Sequence, residues 1–269
     1  MSYLELKDTK LYYETKNLNS CEKVFVFLHG LGGSIEQTKN AFVKIPESLG
    51  VVYVDLRANG KSPYSKDNKI SFDIYAKDVK KLCDHLKLSK ISMGGISMGA
   101  ATSTKFALKY PKMVEKLVLI RIAWLDRPMA KKIRDENMLI SYYIDCYGKE
   151  DGKIKYLKDK KHINNERKYP KNEESNVKAF DYKYAEETSY KYRTMPLDHP
   201  IDSMAELDSI SQPTMILANH FDPPHPYNYG IEYHRHIKNS VFHEITSKNV
   251  DLLKHSKQLN DYLYDFLID

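Results

Sequence analysis

Short runs of β-branched and aromatic residues alternate along this chain with longer stretches whose apolar positions recur every three or four residues. That is the pattern of parallel strands joined by crossover helices. The runs predict strands over 10–14, 23–28, 51–55, 90–96, 114–120, 214–218 and 241–245, with 4–6 adding an antiparallel edge. Helical spacing predicts helices over 37–45, 72–86, 98–110, 229–237 and 255–267. In the second of these, Ile74, Tyr75, Val79, Leu82 and Leu86 form one apolar face, which reads as core. The alternation stops over 123–211, a stretch without a clear strand, rich in Lys, Tyr and Asn, with apolar segments such as 138–143 that predict short helices. A structureless loop of that length does not suit a compact domain, so helices lying over a cleft are expected. The expected fold is an α/β doubly wound, mostly parallel eight-stranded sheet flanked by helices. Residues 1–122 and 212–269 form its core, and 123–211 form a helical cap inserted after strand 6.

Composition narrows the class. With 269 residues, 42% hydrophobic and 12% aromatic, the chain can bury a sizeable core in one domain carrying an insertion. The first ten residues are polar and charged, and no apolar run reaches the roughly 18 residues of a membrane span, so a soluble cytoplasmic protein is expected. Cys21, Cys83 and Cys146 are odd in number and widely spaced, which fits neither a disulfide framework nor a zinc site. The net charge is +6, and 127–200 alone holds 17 Lys+Arg against 13 Asp+Glu. Because these cations are interspersed with acids, they read as a solvated basic surface and not as a nucleic-acid or membrane face.

The candidate chemistry starts at Gly95-Ile96-Ser97-Met98-Gly99, between a predicted strand and a predicted helix. A sharp turn there would strain the serine backbone and expose its hydroxyl, and flanking glycines remove the Cβ atoms that would collide with it. A serine nucleophile needs a base, a carboxylate to orient the base, and backbone donors for the oxyanion. Directly after the strand at 23–28 comes His29-Gly30-Leu31-Gly32-Gly33-Ser34, whose amides suit the last role. Leu31 N–H with Met98 N–H is the expected oxyanion pair, with Gly32 N–H as an alternative to Leu31. After the strand at 214–218 comes Asn219-His220-Phe221-Asp222-Pro223-Pro224-His225-Pro226, where Asp222 is the expected acid in a proline-stiffened loop and Asp126 the runner-up. Of ten histidines, His255 is the expected base, since it follows the last strand at the start of the final helix. His225 lies within the acid loop, His243 in a strand, His234 and His236 in a helix, and His162 and His199 in the insertion; these are read as packing or surface residues. The order Ser97, Asp222, His255 suits a triad mounted on a doubly wound sheet.

The chain thus resembles the α/β-hydrolase fold superfamily over nearly its whole length. The resemblance rests on the elbow, on His29-Gly30-Leu31-Gly32, on the Asp222 and His255 contexts, and on Asp55-Leu56-Arg57-Ala58-Asn59-Gly60-Lys61-Ser62, in which Ala58 replaces the usual glycine. It implies a serine hydrolase with a specificity-shaping cap. A nucleophilic serine excludes relatives that form an ester intermediate on an aspartate. The implied reaction is acyl transfer to water from an ester or lactone of a small organic molecule, with no metal or other cofactor. A carbon–carbon bond hydrolase, a thioesterase, an aminopeptidase and a non-catalytic ligand-binding member remain open. A peptidase would use cap acids such as Glu173, Glu174, Glu186 or Glu187 to hold an amino group. Gly30, Trp124, Tyr142 and Tyr143 are the expected substrate contacts, and Tyr147, Tyr182, Tyr184, Tyr190 and Tyr192 are further aromatics available to line a pocket or pack the cap.

Overall fold

The structure, a computed structural model, describes residues 2–19, 21–65 and 67–268. Its strands are β1 (Ser2–Glu5), β2 (Lys10–Lys16), β3 (Lys23–Leu28), β4 (Leu49–Val54), β5 (Ile91–Ile96), β6 (Val114–Ile120), β7 (Thr214–Ala218) and β8 (Ser240–Glu244). They form one sheet in the order β1-β2-β4-β3-β5-β6-β7-β8. The β1/β2 and β2/β4 pairs are antiparallel and every other pair is parallel. Helices α1 (Ile35–Ala41), α2 (Phe72–His85), α3 (Met98–Lys109), α9 (Tyr227–His236) and α10 (Leu252–Ile268) flank it. Between β6 and β7 lie α4 (Lys131–Tyr156), α5 (Lys160–Lys168), α6 (Pro170–Val177), α7 (Ala185–Thr188) and α8 (Lys191–Thr194) with short 3₁₀ turns and, among the described residues, no strand.

The two-residue period of the strands separates the core into two layers. Val26 and Leu28 of β3 and Val52 and Val54 of β4 pack with Phe72, Tyr75, Val79 and Leu82 of α2, Phe106 of α3 and Tyr233 of α9. The intervening Phe25, Phe27, Val51 and Tyr53 pack on the other face with Ile35 of α1 and Leu259, Leu263 and Leu267 of α10. Within the apolar face read from the sequence, Tyr75, Val79 and Leu82 are buried and Ile74 and Leu86 half-buried. The segment between β6 and β7 has a small core of its own, Ile140, Ile144, Tyr156, Phe180 and Tyr192, against which Leu31 also packs. Leu31 therefore joins that segment to the turn after β3.

One element differs in form from its expectation. The apolar stretch at 138–143 belongs to α4, 26 residues long, which kinks at Gly148, where φ is 72°. The left-handed backbone there breaks the helical hydrogen-bond ladder at a residue without a Cβ penalty.

Candidate active site

Ser97 stands between the end of β5 and the start of α3 with φ 57° and ψ −110°. A non-glycine residue at positive φ with this ψ is strained, by about 1–3 kcal/mol, and its surroundings must hold it there. They do so by close approach. A Cβ on Gly95 would lie 2.3 Å from the Gly99 carbonyl carbon, and one on Gly99 would lie 2.3 Å from Leu28 O and 2.8 Å from His29 O. The two glycines thus let the turn close and let α3 press against the end of β3.

That contact brings the glycine-rich turn to the elbow. A Cβ on Gly30 would sit 3.5 Å from both Ile96 O and Ser97 Cβ. The turn is held at several points: Gly30 N donates to Gln37 Oε1 at 2.7 Å, and Gly33 N to Gly30 O at 3.0 Å. His29 fixes its other side, because its Nε2 accepts Leu56 N–H at 3.0 Å, leaving Nδ1–H to donate to Gly30 O at 2.7 Å. Burial lowers the His29 pKa to about 4, so this tautomer stays neutral. Gly32 N is consumed by Asn59 Oδ1 at 3.2 Å, so it is not free to serve in place of Leu31. Neither Leu31 N–H nor Met98 N–H donates to a protein acceptor among the described residues.

The Asp55–Ser62 loop supports this arrangement from behind. Asp55 accepts Ile35 N at 2.6 Å and Lys61 N at 2.7 Å, while Ser62 Oγ donates to Asp55 O at 2.5 Å. Arg57 is buried and paired with Asp78 at 2.6 Å and Asp8 at 2.7 Å. Ala58 adopts φ 64°, the left-handed conformation that a glycine would take more easily, so the substitution leaves the loop's path intact.

The base position differs from the sequence expectation. His225 Nε2 lies 2.8 Å from Ser97 Oγ, and His225 Nδ1 lies 2.9 Å from Asp222 Oδ1. His255 instead sits in the first turn of α10 with Nδ1–H donating to Thr246 O at 2.8 Å, and burial holds its pKa at about 4. The reason is local. Asp222-Pro223-Pro224-His225 is a tight turn closed by His225 N to Asp222 O at 2.9 Å, which returns the imidazole to the carboxylate three residues earlier. The signal for it was the proline pair between an acid and a histidine, which removes the freedom such a short return would otherwise have to lose. The order Ser, Asp, His along the chain is preserved by His225 as it would have been by His255.

Asp222 is surrounded by donors. Arg121 Nε donates to its Oδ2 at 2.7 Å and Asn172 Nδ2 to its Oδ1 at 2.8 Å. Burial pushes the carboxyl up, but the charges of Arg121 and His225 and the hydrogen bonds from both hold it well below the usual carboxylate range. Arg121 Nη2 also lies 3.1 Å from His225 Nδ1. Arginine can only donate, so that contact would need Nδ1 unprotonated and its lone pair facing the carboxylate. The carboxylate favours the opposite tautomer, in which Nδ1–H points to Asp222 and Nε2 accepts the serine proton. Asp126, by contrast, pairs with Arg127 at 3.1 Å and, among the described residues, with no histidine.

A family model for the alpha/beta hydrolase fold matches residues 23–255. The chain belongs to that family. Solved structures agree on the fold. An enol-lactonase from Burkholderia xenovorans LB400 superposes with a TM-score of 0.79 at 17% identity over 100% of both chains. A thermophilic esterase from Thermogutta terrifontis superposes with a TM-score of 0.75 at 20% identity, covering 99% of this chain and 100% of that one. The sn-1-specific diacylglycerol lipase of Mus musculus is 32% identical over 121 residues, 44% of this chain and 39% of its own. The chain spans only 31% to 40% of the length of the first curated relatives it matches.

In this α/β hydrolase a cavity of about 110 Å³ opens beside Ser97, large enough for several waters or a short organic chain. Its wall includes Gly30, Leu31, Trp124, Tyr192 and His225. Trp124 is packed edge-on against Phe72 at 5.1 Å between ring centres. Tyr142 and Tyr143 are not part of that wall. Tyr142 is half exposed and meets Tyr143 and Tyr147 edge-to-face, and Tyr143 donates to Asp159 at 2.9 Å. Tyr143 packs on the small core of Ile140, Ile144 and Tyr156 and Tyr142 faces outward, and periodicity without a known partner surface does not distinguish these sides from the one that faces the cavity. Tyr192 lines the wall instead, with its hydroxyl 2.3 Å from where a Cβ on Gly32 would lie. None of the four acids considered for an amino-group site lines the cavity. Glu173 is buried against His162, Tyr156 and Asn176, Glu174 pairs with Lys171 and Lys178, and Glu186 accepts Lys149 N. Among the described residues no helix is long and apolar enough to cross a membrane, and no cluster of His, Cys, Asp or Glu could hold a metal.

Proposed function

We propose that this chain is a serine hydrolase that cleaves an ester or lactone of a small organic substrate through an acyl-enzyme. The observation that carries the reading is the 2.8 Å approach of His225 Nε2 to Ser97 Oγ, with Asp222 behind the same ring. In the proposed cycle His225 takes the hydroxyl proton as Oγ attacks the carbonyl carbon, and the oxyanion is held by the unpartnered Leu31 and Met98 amides. Collapse expels the alcohol, which leaves with the proton from His225. Water, deprotonated by His225, then attacks the acyl carbon and returns Ser97. General-base transfer contributes about 10²–10⁴-fold and each oxyanion donor about 10²–10³-fold. The helices of 123–211 act as a cap over the site, and Asn172 ties that cap directly to the acid.

Esters and lactones also suit the relatives, whose names include an esterase, an enol-lactonase and a diacylglycerol lipase. An aminopeptidase is disfavoured because, among the described residues, no Asp or Glu lines the cavity to receive an amino group. The test is hydrolysis of p-nitrophenyl acetate by the native protein and by Ser97→Ala. A loss of about 10³-fold or more supports the reading; equal rates refute it for this activated ester.

A further inference from the structure

Beside apolar residues, the cavity next to Ser97 is lined by two cations, Arg121 and Lys248, by amide and hydroxyl side chains, and, among the described residues, by no Asp or Glu. Arg121 directs Nε and Nη2 toward the Asp222–His225 pair. Lys248, in the turn between β8 and α10, has no such partner. Its Nζ donates to Lys171 O at 2.9 Å and to Ser175 Oγ at 3.1 Å, both uncharged. No carboxylate stands within 4.0 Å of it among the described residues. An ammonium has three hydrogens, so one is left without a protein acceptor among the described residues and is open to the cavity or to water.

The neighbouring acids are already committed. Asp222 is held by Arg121, and Glu174 is shared between Lys171 and Lys178. Burial, then the charge of Arg121, brings the Lys248 pKa down to about 7, with Lys178 acting in the same direction and Asp222 and Glu174 against it. This is a cation short of counter-charge. The indole N–H of Trp124, another wall residue, is buried without an acceptor. The indole N–H is thus a buried donor without an acceptor, and half-buried Lys248 is a cation on the same wall without a carboxylate beside it; a ligand that brings a negative oxygen supplies what both lack.

Resting on the reading of Ser97 as nucleophile, we infer that the cavity selects esters that carry a carboxylate a few atoms from the scissile carbonyl, with Lys248 as the group that binds it. The carboxylate can belong to the acyl chain or to the alcohol, and two matched pairs separate these cases. On the acyl side monoethyl glutarate is compared with ethyl 5-oxohexanoate, in which a methyl ketone replaces the carboxylate. On the alcohol side 4-acetoxybutyrate is compared with 5-acetoxy-2-pentanone.

Product release from each ester is measured for the native protein and for Lys248→Met, slightly below the pKa of about 7 that burial gives Lys248. The native protein is expected to prefer the anion in one pair by about tenfold in kcat/KM, and Lys248→Met to lose most of that preference, as for removal of one charge-assisted contact. Equal use of anion and isostere in both pairs, or a preference that survives Lys248→Met, overturns the inference while leaving the hydrolase reading in place. Absence of turnover with all four esters in a protein that still hydrolyses p-nitrophenyl acetate through Ser97 also overturns the inference; if that hydrolysis is absent as well, the hydrolase reading fails and this inference falls with it.

Discussion

His225 reaches Ser97 from the same loop that supplies Asp222: its Nε2 lies 2.8 Å from Ser97 Oγ while its Nδ1 lies 2.9 Å from a carboxylate only three residues earlier in the chain. The acid and base of the candidate triad are therefore positioned by a single turn, closed by His225 N to Asp222 O and stiffened by Pro223 and Pro224. Their relative geometry is local, and only their placement against Ser97 depends on the sheet.

Burial lowers the His225 pKa below 6.5, the Asp222 charge opposes this, and Arg121 reinforces it. The acidic limb of kcat/KM should accordingly lie below pH 6.5 in the native protein. Arg121→Gln removes a cation that favours neutral imidazole, so the limb should move to higher pH. A pH–rate profile of both proteins checks the sign; a shift toward acid would contradict it.

Asp222 holds the His225 ring, and among the described residues Asp126 pairs with Arg127 alone. Asp222→Asn should therefore reduce kcat by about 10³–10⁴-fold, because the amide can stabilise the wrong tautomer. Asp126→Asn should change kcat by less than about threefold, as a half-exposed ion pair does little. Steady-state kinetics on one ester decides between them, and the reverse ranking would transfer the role to Asp126.

Two positions in the Asp55–Ser62 loop have positive φ, Ala58 at 64° and Gly60 at 54°. A Cβ on Gly60 would lie 2.1 Å from Asp55 Cγ, so Gly60→Ala adds overpacking to backbone strain and should destabilise by about 2–4 kcal/mol. At Ala58 relief of strain is offset by a lost buried methyl and a freer unfolded chain, so Ala58→Gly should fall within about 1 kcal/mol of the native protein. Urea unfolding of the two variants measures both.

Lys191 of α8 is almost fully buried, donates to Ala58 O at 2.7 Å, and lies over the rings of Tyr182 and Tyr192. Burial lowers its pKa to about 7. The unfolded chain, with an ordinary lysine near 10.4, binds more protons between those values, so this residue makes stability rise with pH from about 7 upward. Lys191→Met should flatten the rise in Tm between about pH 7 and pH 9. An unchanged slope would show that the lysine stays charged in its pocket.

Much of the frame was legible from periodicity. The strands at 23–28, 114–120 and 214–218 have the observed bounds, and the others shift by one or two residues. These segments are short, apolar and bounded by polar turns, so tertiary context has little to override. The elbow was also legible, because a serine between glycines at a strand end carries its own geometric demand, and Ser97 has the expected strained φ. The partner histidine was not. Choosing between His225 and His255 requires knowing that 222–225 folds back on itself and that His255 turns toward Thr246, and neither distance follows from spacing alone. The inserted helices were harder still. Tyr142, Tyr143 and Tyr192 have the same composition signal, and only packing of the insertion on the core distinguishes the one that reaches the cavity.

The central claim is that His225, and not His255, activates Ser97. The direct measurement is kcat/KM for one ester with His225→Gln and His255→Gln in parallel, each confirmed folded by its thermal transition. His225→Gln should lose about 10³-fold or more, the scale of a missing general base, while His255→Gln stays within about tenfold of the native protein. Retained activity in His225→Gln together with its loss in His255→Gln would contradict the account.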